Sequence, residues 1–278
     1  MSLIQAILLG LIQGLTEFLP VSSSGHLVLG QFVLGVDQAT KNEIGVAFEV
    51  FVHFGTLLAV VTVYWRDILG MIKAFFSIFS FNRPSLEDKY HQDADFKMMV
   101  LILIGSLPAG ILGIALKDII EEAFVNPLLV CSMLIVTAGI LFSTRYLLKE
   151  NQKLGFTNSL IIGFAQAFAI TPGISRSGST ISTGLFMGLD RETAAKFSFL
   201  LSVPVIAGAT ILEIKNVVAH PPAGTMIINF IAGTLVAYIS GLIAIKFLLA
   251  IIKKGKLEVF AYYCLIVGIF GVSWLLLK

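Results

Sequence analysis

Six apolar runs, at about residues 46–64, 97–116, 127–145, 193–212, 226–249 and 259–277, restrict this chain more than any other feature. Each approaches the roughly 20 helical residues that cross a hydrocarbon core about 30 Å thick. At that depth water cannot satisfy the backbone, so a spanning segment must be a helix or part of a closed barrel. Runs of this length predict helices. Composition points the same way: 57% of residues are hydrophobic and 13% charged, against about 25% charged in a soluble domain. Mean hydropathy is +0.94. The fold class expected is an all-α polytopic membrane protein. A net charge of +2 gives no pointer to nucleic acid. Cys131 and Cys264 lie far apart inside apolar runs and read as packing residues rather than a disulfide or metal pair. The N-terminus has no basic region before its apolar stretch, so a removable signal peptide is not expected.

Two further apolar regions are broken. LPVSSSGH interrupts 3–36, and TPGISRSGST interrupts 157–189. Each leaves pieces of about twelve to seventeen residues, a length suited to re-entrant half-helices rather than full crossings. The two regions align without a gap at an offset of 153: Gly10 on Gly163, Gln13 on Gln166, Ser22 on Ser175, Ser24 on Ser177, Gly25 on Gly178. Each half then holds one helix-loop-helix hairpin followed by three spans. Three crossings place the second half in the opposite sense. The architecture expected is therefore six transmembrane helices plus two re-entrant hairpins in an inverted-topology repeat, with the broken helices meeting near the midplane. It forms a single membrane domain over 1–278, built from repeat 1 (1–145) and inverted repeat 2 (157–278).

Basic residues set the orientation. Segments 65–97, 145–153, 191–196 and 246–256 carry fourteen Lys or Arg, while the opposite side carries four: Lys41, Lys117, Lys215 and Lys278. The basic side is expected to be cytoplasmic, provided both hairpins are re-entrant. Both termini and the mouth of the first hairpin then face outward, and the second hairpin enters from the cytoplasm. Lys196 and Lys246, near span ends, are expected to snorkel.

Only Arg176 of the nineteen basic residues falls outside this division. An arginine at membrane depth calls for a partner or an aqueous cavity. It lies in PGISRSGST, residues 172–180. Gly173 lets backbone approach a ligand closely. The hydroxyls of Ser175, Ser177 and Thr180, with the N–H groups of a starting half-helix, can surround an anion. A guanidinium fork suits phosphate. The first hairpin carries complementary groups. Gln13 and Glu17 are four apart, on one helix face. Pro20 ends that half-helix, Ser22, Ser23 and Ser24 follow in the turn, and His26 lies one turn further. The oxygen pair of Gln13 and Glu17 could hold Mg²⁺ or Ca²⁺. A serine could act as nucleophile beside a base, and histidine can exchange a proton near neutral pH. Each group also has a plainer reading: Gln13 as a helix–helix hydrogen bond, Ser22 and Ser24 as caps, His26 as a packing residue. Glu49 and His53, four apart in AFEVFVHFG, read as a helix-stabilising pair or as a proton path beside the site.

The two motifs together, QGLTEFLPVSSSGH (13–26) and PGISRSGST (172–180), resemble the undecaprenyl pyrophosphate phosphatase family linked to bacitracin resistance, and the resemblance extends over nearly the whole chain. It implies an integral membrane enzyme that removes the terminal phosphate of undecaprenyl pyrophosphate and so recycles the lipid carrier for peptidoglycan and other envelope polymers. It implies an acidic motif at Gln13 and Glu17, a nucleophilic or phosphate-binding serine at Ser23, a histidine at His26, and an arginine motif at Ser175, Arg176 and Thr180. Glutamine at 13 leaves one carboxylate fewer for a metal. The expected catalytic set is Glu17, Ser23, His26 and Arg176. Ser22, Gly173, Ser175, Ser177 and Thr180 are expected to bind substrate, and Gln13 and Glu17 a divalent cation. Ser23, His26 and water stay open as nucleophiles. The expected partners are the polyprenyl substrate and the bilayer, with a homodimer left open. The expected place is the bacterial inner membrane, with a site opening to the periplasmic side. The rival class is a transporter or flippase for a phosphate-bearing substrate.

Overall fold

The computed structural model describes residues 1–36, 44–80, 85–146, 151–219 and 224–277, and every regular element among them is a helix. Lys41, Arg83, Lys149 and Lys278, together with the side chain of Lys215, lie outside the described residues.

The first hairpin is α1 (Leu3–Phe18) and α2 (Ser23–Val33). At about 1.5 Å per residue, helices of 16 and 11 residues fall short of a bilayer's thickness. Then come α3 (Ile44–Val63), α4 (Trp65–Phe76), α5 (Leu86–Gln92), α6 (Ala94–Ala115), α7 (Lys117–Phe124) and α8 (Pro127–Ser143). The second hairpin is α9 (Phe156–Phe168) and α10 (Arg176–Phe186), followed by α11 (Arg191–Ala219), α12 (Gly224–Lys253) and α13 (Glu258–Leu277).

Among the described residues five helices are long and apolar enough to cross a membrane: α6, α8, α11, α12 and α13. The sixth, α3, qualifies together with α4, from which it is bent by 84°. The chain is thus a polytopic helical membrane protein. Residues 65–96 hold no apolar run of spanning length, yet α4 occupies their first part. Leu69, Ile72 and Phe76 of α4 are exposed, while Ala74 is buried. Its alternation of Arg66, Asp67 and Lys73 with large apolar residues masks it in any average of hydropathy.

The outside of the bundle is apolar. On α12, Ile228, Ile231, Leu235, Ile239, Ile243 and Phe247 recur every three or four residues and are all exposed, a stripe that faces lipid. The opposite face of α12 is small. A Cβ on Gly10 would lie 2.3 Å from the Gly233 carbonyl oxygen, so α1 and α12 touch backbone to backbone. The same close approach recurs in the other half, where a Cβ on Gly163 of α9 would lie 2.5 Å from the Gly105 oxygen of α6. Each hairpin therefore leans on the second span of the other half.

The correspondence extends to the helix starts. Gln5 Oε1 accepts from Ser2 N–H at 2.7 Å, and Asn158 Oδ1 accepts from Gly155 N–H at 3.1 Å. These pairs also stand 153 residues apart. Residue identity hides this match, because different side chains make the same bond.

Candidate active site

Both hairpin turns are closed by a serine. Ser22 caps α2, its Oγ accepting from Gly25 N–H at 3.3 Å; Ser175 caps α10, its Oγ accepting from Gly178 N–H at 3.0 Å. Ser22 and Ser24 hydroxyls lie 3.2 Å apart, and Ser175 and Ser177 hydroxyls 3.3 Å apart. The turns differ in backbone. Ser22 has φ 69°, the one non-glycine with positive φ among the described residues, whereas Ser175 has φ −75°. Such a conformation costs on the order of 1–3 kcal/mol and clusters at functional sites. It falls immediately before Ser23.

The turns meet. Ser177 Oγ donates to the Leu19 carbonyl at 3.1 Å, and a Cβ on Gly178 would sit 3.2 Å from Pro20 Cβ. This crossing brings Glu17 of the first hairpin to Arg176 of the second. Arg176 Nη2 donates to Glu17 Oε1 at 2.6 Å. The other carboxylate oxygen, Oε2, accepts from Ser23 Oγ at 2.6 Å and from Gln13 Nε2 at 2.9 Å. Glu17 is buried, and its charge is balanced by a guanidinium that it could not lose without leaving an uncompensated ion in a low dielectric.

A fourth element contributes. His53 of α3 has its Nε2 3.8 Å from Glu17 Oε2. Its Nδ1 is 2.7 Å from the Glu49 carbonyl oxygen, which can only accept, so Nδ1 carries a hydrogen. Nε2 is therefore the ring nitrogen left to face Glu17. Gln31 Nε2 donates to Glu49 Oε1 at 3.0 Å, joining α2 to α3 behind this pair.

These groups form the floor of a cavity of about 370 Å³. Glu17, Ser22, Ser23, Ser24, Ser175, Arg176, Glu49 and His53 line it, with Gln166 on one wall. Apolar residues complete it: Ala109, Phe124, Ile170, Val205, Ile206 and Ala209. The N-termini of α2 and α10 both reach the cavity, and the first N–H groups of a helix have no intrahelical acceptor. Arginine, two helix N-termini and hydroxyls make an anion site. The apolar share of the wall suits a molecule with a charged head and an oily tail.

The expected residues separate into groups. Ser23 and Arg176 each donate to Glu17, and Ser22 and Ser175 line the cavity beside them. Thr180 and Gly173 stand behind it. Thr180 Oγ1 donates to the Arg176 carbonyl at 2.8 Å and lies 2.6 Å from Ser198 Oγ. Gly173, at φ 92°, is pressed against α8: a Cβ there would lie 2.3 Å from the Val130 oxygen, and Thr137 Oγ1 donates to its carbonyl at 2.9 Å. Gly173 thus lets the turn dock closely on α8. Ser177 ties the two turns together, as described. His26 faces away from the cavity. Its Nδ1 is 2.8 Å from the Ser22 carbonyl oxygen, its Nε2 is 2.8 Å from Tyr263 Oη, and the two rings stack at 5.5 Å. Both ring nitrogens are engaged.

At the expected cation pair one oxygen is unengaged: Gln13 Oε1 is buried and has no hydrogen-bond partner among the described residues. Both Glu17 oxygens already accept from Arg176, Ser23 and Gln13, and Gln13 turns its amide nitrogen toward the carboxylate. Among the described residues no group of three or more His, Cys, Asp or Glu could hold a metal ion.

Sequence reading placed His53 second to His26. The order reverses in space because α3 packs against α1, information that no local motif carries. The spacing from Glu49 was the visible signal.

Comparison with known proteins decides the family. The profile of "Bacitracin resistance protein BacA" matches residues 6–270. The chain belongs to the BacA family. Relatives named "Undecaprenyl-diphosphatase" match it almost end to end. The one from Desulfatibacillum aliphaticivorans is 42% identical over 95% of this chain and 96% of its own. That from Korarchaeum cryptofilum is 45% identical over 99% of this chain and 100% of its own. That from Methanosphaera stadtmanae is 41% identical over 98% of each. The crossing of the two turns puts residues from both hairpins, Glu17 and Ser23 from one and Ser175 and Arg176 from the other, on one cavity.

Proposed function

We infer that the chain is an undecaprenyl-diphosphatase, hydrolysing undecaprenyl pyrophosphate to undecaprenyl phosphate and phosphate. Family membership supports the substrate. The observation that carries the site is a single carboxylate, Glu17, bonded through one oxygen to Arg176 and through the other to Ser23, both at 2.6 Å. Ser23 attacks the terminal phosphorus, and Glu17 Oε2, already accepting its hydrogen bond, takes the proton. The anhydride P–O bond breaks and undecaprenyl phosphate leaves. Arg176 and the N–H groups of α2 and α10 carry the charge that develops on the phosphoryl oxygens. Water then cleaves the phosphoserine, with Glu17 again the base. His53 Nε2 is placed to exchange a proton with Glu17 between the two steps. His26, both of whose nitrogens are engaged elsewhere, holds the turn through Tyr263 rather than forming a phosphohistidine. The expected Mg²⁺ or Ca²⁺ belongs to this reading as a partner of the substrate's phosphates.

The halves 1–145 and 157–278 form an inverted pair in this reading, supported by the reciprocal glycine approaches of Gly10 to Gly233 and Gly163 to Gly105. The bias of fourteen basic residues against four supports a cytoplasmic basic side and a site opening outward from the inner membrane.

The test is phosphate release from undecaprenyl pyrophosphate by the purified protein, with Mg²⁺, with Ca²⁺ and with chelator. Cation-dependent release that collapses in Ser23→Ala and Arg176→Ala bears the reading out. Unchanged release by Ser23→Ala would show that water attacks directly. Absence of release from folded protein across cations and pH would move the assignment to the transporter class, which needs an anion site but no nucleophile.

A further inference from the structure

Gln166 takes no part in the steps above. It sits on α9, is 2% exposed, and lines the cavity that Ser175 and Arg176 also line. Neither its Oε1 nor its Nε2 has a hydrogen-bond partner among the described residues. A buried amide left so costs more than most single contacts contribute, and native structures rarely tolerate it without water or a ligand.

The repeat explains how the amide came to be unpaired. Gln13 is its counterpart at the offset of 153, and Gln13 has Glu17 four residues on, which accepts from its Nε2 at 2.9 Å. The residue four beyond Gln166 is Ile170. The second half keeps the donor and lacks its acid. A neutral amide facing an arginine-bearing anion cavity can still donate, and the acceptor must come from what enters the cavity.

We propose that Gln166 binds the diphosphate head group, its Nε2–H donating to a phosphate oxygen within the same cavity as Arg176. The inference rests on the phosphates occupying that cavity. Gln166 is then a substrate-binding residue that acts on affinity, while Glu17, Ser23 and Arg176 perform the transfer.

Three variants test this: Gln166→Leu, Gln166→Met and Gln166→Glu, with Arg176→Ala as the control for the cavity itself. Leu and Met remove both polar atoms at similar volume. A hydrogen bond to a charged group corresponds to roughly a 10- to 100-fold effect, and that rise is expected in KM with kcat within a few fold of wild type. Without substrate, both variants should melt at or above the wild-type temperature, because an unpaired buried amide has been removed. Inorganic pyrophosphate should raise the melting temperature of the wild type and do so far less for Gln166→Met. Gln166→Glu should lose more than either, since a carboxylate would face the phosphates. A wild-type KM in both apolar variants overturns the proposal. So does earlier melting of both without substrate together with undiminished pyrophosphate protection, which would mean that the amide has a structural partner. Normal turnover by Arg176→Ala would instead overturn the cavity assignment, and this proposal with it.

Discussion

Glu17 is where the two halves of the chain exchange charge, and the sharpest expectations attach to its neighbours. Arg176→Ala leaves a buried carboxylate without its cation and removes the fixed partner of the transferring phosphoryl group. Turnover should fall by roughly 10³-fold or more, measured as phosphate release. Arg176→Lys should recover little of it, because a point charge cannot bridge Glu17 and a phosphate as a planar fork does. His53→Gln should lower kcat by roughly 10²-fold, measured as phosphate release, because an amide cannot relay a proton. His26→Gln and Tyr263→Phe should each reduce activity, and the double variant should lose no more than the worse single one, because the two rings act as one brace. Non-additive loss in that cycle separates a positioning histidine from a reacting one. At this scale the sequence exposed Glu17, Ser23 and Arg176 well, because an acid, a hydroxyl and an arginine inside apolar regions demand an explanation. It did not separate His26 from His53. Ring orientation depends on which helix stands opposite, here α13 for one and α1 for the other.

The two hairpins seat against their partner helices through glycine. A side chain at Gly10 or Gly163 meets backbone oxygen, which cannot move aside as a side chain can. Gly10→Val and Gly163→Val should each destabilise by at least about 3 kcal/mol, the upper range for overpacking, seen as a lower melting temperature in detergent. Gly139, whose Cβ direction is open, is the control: Gly139→Ala should be neutral or gain up to about 1 kcal/mol from helix propensity. Helix positions were legible from run length alone, since five of the expected spans reappear as single long helices. The amphipathic α4 and the short α7 were not, because their charged residues lower the average on which a span is judged. The close approaches were invisible for a different reason. Glycine pairs 223 and 58 residues apart in sequence leave no periodic signal.

For the whole molecule, sidedness can be checked directly. Cysteine placed at Lys117 should react with a membrane-impermeant maleimide from outside intact cells, and cysteine at Lys256 only in inverted vesicles. The native Cys131 and Cys264 are buried and give little background. The reverse pattern would overturn the outward-opening site while leaving its chemistry untouched. The repeat proposed from five identities also brings into register equivalent bonds made by different residues, Ser2–Gln5 and Gly155–Asn158.

The reciprocal seating of the hairpins also bears on how such a chain is made. Gly10 cannot find its place until Gly233 has been synthesised, so the earliest helix must wait for the penultimate one. Until Arg176 emerges its polar turn, with Glu17 and three serines, has no arginine to neutralise it, and until α12 follows the hairpin lacks the helix it seats against. The second hairpin has no such delay, because Gly105 of α6 precedes Gly163. Biogenesis is therefore asymmetric even where the finished architecture is balanced. A ribosome-bound fragment ending before α12 should hold its second hairpin protected and its first accessible to protease or to a thiol probe at Ser24→Cys.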